Sequence, residues 1–224
     1  MPDSVRRHLT ELLDGLKEQV MAMGLHVEDM VADAVRSLIE HDERLAGDVI
    51  DRDRQTNSFE MQVYATCVDI LAREAPVAKD LRFVVSAMTT ATELERVGDD
   101  AVSIAKKALT TEEPVPPEAV EALRELSQMS RSMLVNVLKA FATGDEQMLE
   151  QVIESDSEVD RTWKSIRRRM RTIMTEQPEK LRHLEKVLSA CHHLEYVADH
   201  AESIAERIEF VRSGDLARFL VRED

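Results

Sequence analysis

An all-α fold of two tandem three-helix bundles, related by an internal repeat, is the architecture this sequence predicts. Three observations predict it. The 224 residues are 43% hydrophobic and 33% charged, with 4% aromatic residues, 6 Gly and 6 Pro, a balance that fits a helical globular chain better than a disordered or all-β one. Apolar residues recur at three- and four-residue spacing through long segments. The stretch "LERVGDDAVSIA" at 94–105 returns as "LEYVADHAESIA" at 194–205, with Leu, Glu, Val, Asp, Ala, Ser, Ile and Ala in register.

The elements follow in order. From residue 3 to about 45, Leu9, Leu12, Leu13, Leu16, Val20, Met23, Val27, Met30, Val31, Ala34 and Leu38 form one buried helical face. Gly47 marks the expected end of that helix and the start of a second, over 47–74. Pro76 separates it from a third, over 78–110. The stretch "TEEPVPP" at 111–117 reads as the link to a second bundle, with helices over 117–143, 145–176 and 179–212 divided near Gly144 and Pro178. Residues 1–112 and 117–213 are thus the two repeats, and 214–224 a C-terminal tail. The flank "DVIDRDRQTN" matches "QVIESDSEVD" at an offset of 103, whereas the later motif recurs at 100, which puts a three-residue deletion near Pro178. A helix of ~30 residues is ~45 Å long, and antiparallel helices of that length joined by short turns pack as up-down bundles.

No apolar run reaches the ~20 residues needed to span a bilayer, and the N-terminus lacks a signal peptide's apolar centre, so a cytoplasmic location is expected. Cys67 and Cys191 lie in apolar helical patterns and read as buried thiols, with no disulfide. The formal charge of −15 repels nucleic acid. The one dense basic cluster, Lys164, Arg167, Arg168, Arg169 and Arg171, reads as a solvated helix face, with a docking patch for an acidic partner as the alternative.

The repeated motif places two carboxylates four residues apart in mid-helix, Glu95 with Asp99 and Glu195 with Asp199. Like charges at that spacing cost roughly 0.2–0.5 kcal/mol unless a cation lies between them. With Leu94 at zero and ~100° per residue, the core stripe runs through Val97, Gly98, Ala101, Ile104 and Ala105, while Glu95 and Asp99 fall near 100° and 140°. They flank the core, so a site there lies along a solvent-open seam between helices. The second helix of each repeat offers matching pairs, Asp53 with Asn57 and Asp156 with Asp160. Oxygen ligands of this kind suit Mg²⁺, Mn²⁺ or Fe. Cys191 and His192, one turn before Glu195, extend the second site towards softer metals, including Zn²⁺. The competing reading is ion pairing of these carboxylates with residues such as Arg52 and Arg82, and His200 projects away from Asp199.

Enzyme signatures are missing. No His has a Glu three residues before it, and there is no His-Glu-x-x-His, phosphate-cradling glycine loop or Cys-x-x-Cys. A non-enzyme is expected.

In these motifs the chain resembles the PhoU family of phosphate-uptake regulators over essentially its whole length. The resemblance is carried by "MGLHVEDM", "DVIDRDRQTN", "LAREAPVAKDLRFV" and "LERVGDDAVSIA" in the first half, and by "VIESDSEVD" and "LEYVADHAESIAERIEFVRSG" in the second. It implies two symmetric three-helix bundles whose carboxylate motifs bind metal ions or clusters at the bundle surface, here Glu95, Asp99, Asp53 and Asn57, and Glu195, Asp199, Asp156 and Asp160. It also implies a cytoplasmic, non-enzymatic adaptor, which links the ATPase of the phosphate ABC transporter to a phosphate sensor histidine kinase and holds the starvation response off in plenty. A homodimer is a further expectation from the family. The other readings are a metal-buffering helical protein and a regulator of a different anion transporter. Two departures stand out. Asn57 replaces a carboxylate, and Tyr196-Val197-Ala198-Asp199 lacks the usual arginine and glycine.

Overall fold

Six long helices form where the apolar periodicity places them: α1 (Asp3–Glu40), α2 (Glu43–Glu74), α3 (Ala78–Thr110), α4 (Pro117–Thr143), α5 (Glu146–Glu176) and α6 (Leu181–Ser213). They are seen in a computed structural model that describes residues 3–111 and 114–215, so most of the expected C-terminal tail at 214–224 lies outside the described residues. A short 3₁₀ turn, Pro178–Lys180, precedes α6 at the expected deletion.

The helix ends follow local chemistry. The Asp42 carboxylate accepts a hydrogen bond from the Leu45 amide at 2.9 Å and caps α2, with His41 at φ 55 completing the break. The first junction therefore sits at 41–42, and Gly47, expected there, lies inside α2 instead. A side-chain cap outranks a glycine that has no left-handed conformation to supply. Gly144 does terminate its helix, at φ 73 with its amide bonded to Ala140 O at 2.7 Å, and Asp145 then caps α5 through the amides of Gln147 and Met148. Pro117 opens α4 at the first-turn position where its missing N–H costs nothing.

Helices α1–α3 form one bundle and α4–α6 the other, and α3 also packs on α6 and α1 on α4. A single apolar core runs through both, from Leu16, Met23 and Leu38 in the first repeat to Leu123, Leu134 and Leu184 in the second. Both cysteines are fully buried within it and free. Small residues permit the closest approaches. A Cβ on Gly98 would meet Thr56 Cγ2 at 2.9 Å, which is how α2 and α3 come together beside the acidic motif; the second repeat has Ala198 there. Gly24 of α1 receives the Leu138 side chain of α4, whose Cδ2 lies 2.4 Å from where a Cβ would stand.

Among the described residues no helix is long and apolar enough to cross a membrane. The packing predicts opposite outcomes for two glycines. Gly24→Val is expected to destabilise the fold by about 1–3 kcal/mol through overpacking against Leu138. Gly15→Ala, with nothing within 4 Å of the new Cβ, is expected to stabilise it by up to about 1 kcal/mol. Urea denaturation of both variants checks the contrast.

Candidate metal centre

α3 and α6 each have one polar flank facing the neighbouring second helix. On α3 that flank carries Glu95 and Asp99 opposite Asp53 and Asn57 of α2; on α6 it carries Glu195 and Asp199 opposite Asp156 and Asp160 of α5. The side chains lie along a seam, as the helical positions require: Asp53, Glu95, Asp156, Asp160, Glu195 and Asp199 are half-buried, and Asn57 and Asp99 are exposed.

The carboxylates of each seam disturb one another. Burial, then the charges of Asp99, Glu60 and Asp53, raise the Glu95 carboxyl above its ordinary value. Burial and Asp53 raise Asp99. In the second seam burial and Asp160 raise Asp156, and burial with Asp160 and Asp156 raises Glu195. Asp199 is pushed up to about 6, by burial first and then by Glu195 and Asp156. Glu60 thus joins the first seam, one helical turn beyond the residues that the motif singles out.

The arginines considered as counter-ions are engaged elsewhere. Arg52 pairs with Asp33 at 2.6 Å, and Arg82 donates to the backbone oxygen of Val211. In the second seam Lys164 pairs with Asp160 at 2.6 Å. One carboxylate oxygen in each seam is buried with no hydrogen-bond partner: Oδ1 of Asp53, and Oε2 of Glu195. The nearest basic atom to the latter is Nε2 of His192, at 3.4 Å. Buried carboxylate oxygens without a hydrogen bond, beside further carboxylates, are donors of the kind a hard cation takes, so in chemistry the residues suit one. Among the described residues no three His, Cys, Asp or Glu side chains already stand close enough together to hold a metal.

The softer ligands divide. His192 is exposed at the seam, stacked on Trp163 at 5.6 Å and tilted against Tyr196 at 4.3 Å. Cys191 points into the core, where burial pushes its thiol up to about 12, so it presents no thiolate to the seam.

The opposite flank of α3 and α6 holds residues that the motif reading passed over. Asp100 lies 2.7 Å from Nδ1 of His193, and Glu93 lies 2.9 Å from Nδ1 of His200, both across the bundle junction. Burial opposes the charge on Asp100, but hydrogen bonds from His193 and His200 outweigh it and hold the carboxyl below its ordinary range. The hydrogen bond from His200 likewise holds Glu93 down. Burial works against the imidazolium of His200, yet the bonds to Asp100 and Glu93 lift it to about 9. His200 therefore serves the junction, in keeping with its projection away from Asp199.

The PhoU domain matches residues 20–108 and 123–208, one copy for each bundle. The chain belongs to the PhoU domain family. It is 34% identical over 97% of its length to a "phosphate-specific transport system accessory protein PhoU homolog" of Pseudomonas putida, covering 87% of that protein. It is 32% identical over 90% of its length to the corresponding accessory protein of Escherichia coli, covering 84% of it. The crystal structure of PhoU from Pseudomonas aeruginosa superposes with a TM-score of 0.87 at 34% identity, over 92% of this chain and 99% of that one. That of the phosphate transport system regulatory protein PhoU from Streptococcus pneumoniae gives 0.86 at 28% identity, over 93% and 98%.

Crowding at Asp199 has a signed consequence. A carboxyl whose pKa is higher folded than unfolded costs stability above both values, and the cost fades as pH falls through about 6 towards 3.8. In chelator-treated protein Asp199→Asn is expected to raise stability at high pH by on the order of 1 kcal/mol, with no gain left in acid. Thermal melts across that range check it; a gain that does not change with pH contradicts it.

Proposed function

We propose that this chain is a cytoplasmic, non-catalytic negative regulator of phosphate uptake and of phosphate-starvation signalling. In this reading it couples the ATPase subunit of a phosphate ABC transporter to a sensor histidine kinase and contacts membrane complexes only at their cytoplasmic face. The observation that carries it is the match, over 97% of the chain, to proteins named as accessory to phosphate-specific transport. A homodimer is part of the same proposal.

The seams add a mechanism. Asp53, Glu60, Glu95 and Asp99 would hold a cation in the first repeat, and Asp156, Asp160, Glu195 and Asp199 in the second, with Asn57 and His192 as neutral ligands. Mg²⁺, Mn²⁺ or Fe suits the all-oxygen first seam, and His192 admits Zn²⁺ at the second. A bound cation supplies positive charge where the carboxylates repel, and so turns an acidic seam into a surface that a partner can cover. Support comes from the orphaned oxygens of Asp53 and Glu195, which also favour the second reading, a metal-buffering role.

Deleting the gene is expected to switch on a phosphate-starvation reporter in phosphate-rich cells, and restoring it to silence the reporter. A version carrying Glu95→Ala, Asp99→Ala, Glu195→Ala and Asp199→Ala is expected to lose metal and fail to silence. A reporter that stays off after deletion contradicts the regulatory reading. Full silencing by the metal-free version removes the cations from the mechanism and leaves the adaptor.

A further inference from the structure

The junction between the two repeats is charged in a one-sided way. Among the described residues, three close acid–base contacts stand out across it: Glu28 with Arg131, whose Nη2 lies 2.7 Å from Oε1, Asp100 with His193 at 2.7 Å, and Glu93 with His200 at 2.9 Å. The His200 ring also reaches Asp100 at 3.5 Å. In every case the acid belongs to the first repeat and the base to the second.

These positions are counterparts in the repeat. Glu28 and Arg131 are 103 residues apart, as are the starts of the two domain matches at 20 and 123. Glu93 and His193, like Asp100 and His200, are 100 apart, as are the ends at 108 and 208. Glu28 meets its own counterpart, while Glu93 meets the counterpart of Asp100 and Asp100 that of Glu93. That reciprocity is the contact pattern of a twofold axis, under which each patch meets an equivalent patch. A duplicated face of this kind starts out able to dock on itself. Here it cannot do so without penalty: first repeat on first repeat sets Glu28 against Glu28 and Glu93 against Asp100, and second on second sets Arg131 against Arg131.

Shape repeats the division. Gly24 accepts Leu138 at a distance no Cβ permits, and the counterpart of Gly24 is Ser127. Two second repeats would bring the Ser127 Cβ against Leu138. Two first repeats would set Gly24 against Val35, the shorter counterpart of Leu138, and leave a gap.

We propose that this division of acids and bases is a pairing code, which confines the face formed by α1 and α3 to docking on α4 and α6 and rejects like-on-like docking with a second copy of the chain. Selectivity of this kind comes from repulsion in the wrong pairing as much as from attraction in the right one. Self-association of this protein then uses another face.

The test uses the full chain. An acid-sided variant, Arg131→Glu with His193→Asp and His200→Glu, sets acid against acid at all three contacts. It is expected to keep its helical circular dichroism while its scattering profile broadens and its melting temperature falls. A full exchange, which adds Glu28→Arg, Glu93→His and Asp100→His, is expected to recover the compact profile and most of the lost melting temperature. The base-sided variant, carrying only those last three changes, is expected to associate with the acid-sided one on mixing. An acid-sided variant as compact and stable as the parent overturns the code, as does a full exchange no better than the acid-sided variant, or a mixture that melts as the sum of its parts. If the acid-sided variant does not fold, recovery in the full exchange supports the code and failure there overturns it.

Discussion

Because α3 packs on α1, α2 and α6, and α6 on α4, α5 and α3, the contact between these two helices fixes everything around it. Each has a core stripe and two polar flanks. One flank is committed to the junction, where Glu93 and Asp100 meet His200 and His193. Those acids are nearly buried, at 9% and 8% exposure, and stay charged because the imidazoles answer them. An unanswered charge at that depth would cost several kcal/mol, so the pairing holds the helices in one rotational setting. The other flank is thereby turned outward along the second helix of its bundle.

The seams follow from that setting. Glu95 and Asp99 cannot turn away from α2 without dragging Glu93 and Asp100 out of the junction, so the crowding of Glu95 with Asp53 and Glu60, and of Asp99 with Asp53, persists. Carboxylates raised by burial and by one another are a stored electrostatic cost, and a cation relieves it. The two seams share this logic but differ in detail. Thr92 donates to Glu60 in the first, at 3.1 Å, whereas Trp163 and His192 stack at the same positions in the second.

Much of this was legible in the sequence. Period, proline and glycine together outlined six helices, and the repeated motif outlined both seams, because four-residue spacing on a helix leaves carboxylates little choice of face. Gly47 misled because a glycine attracts notice where the capping carboxylate of Asp42 does the work. Cys191 carried two readings, and the buried thiol is the one that holds: it lies within reach of the seam in sequence, but α6 is buried on more than one side, so a single core stripe understates what its neighbours cover. The junction was present as a signal and went unread. Aligning the repeats sets Glu93 over His193 and Asp100 over His200, a column of acids against a column of bases, whereas attention to the recurring residues favours what the two halves share over what divides them.

The proposal that both seams are cation sites held in this rotational setting is tested most directly by anomalous scattering from crystals of the protein soaked in Mn²⁺. The account predicts one peak beside Asp53, Glu95 and Asp99 and another beside Asp156, Glu195 and Asp199. Peaks confined to other surfaces, or none at either seam, would contradict it.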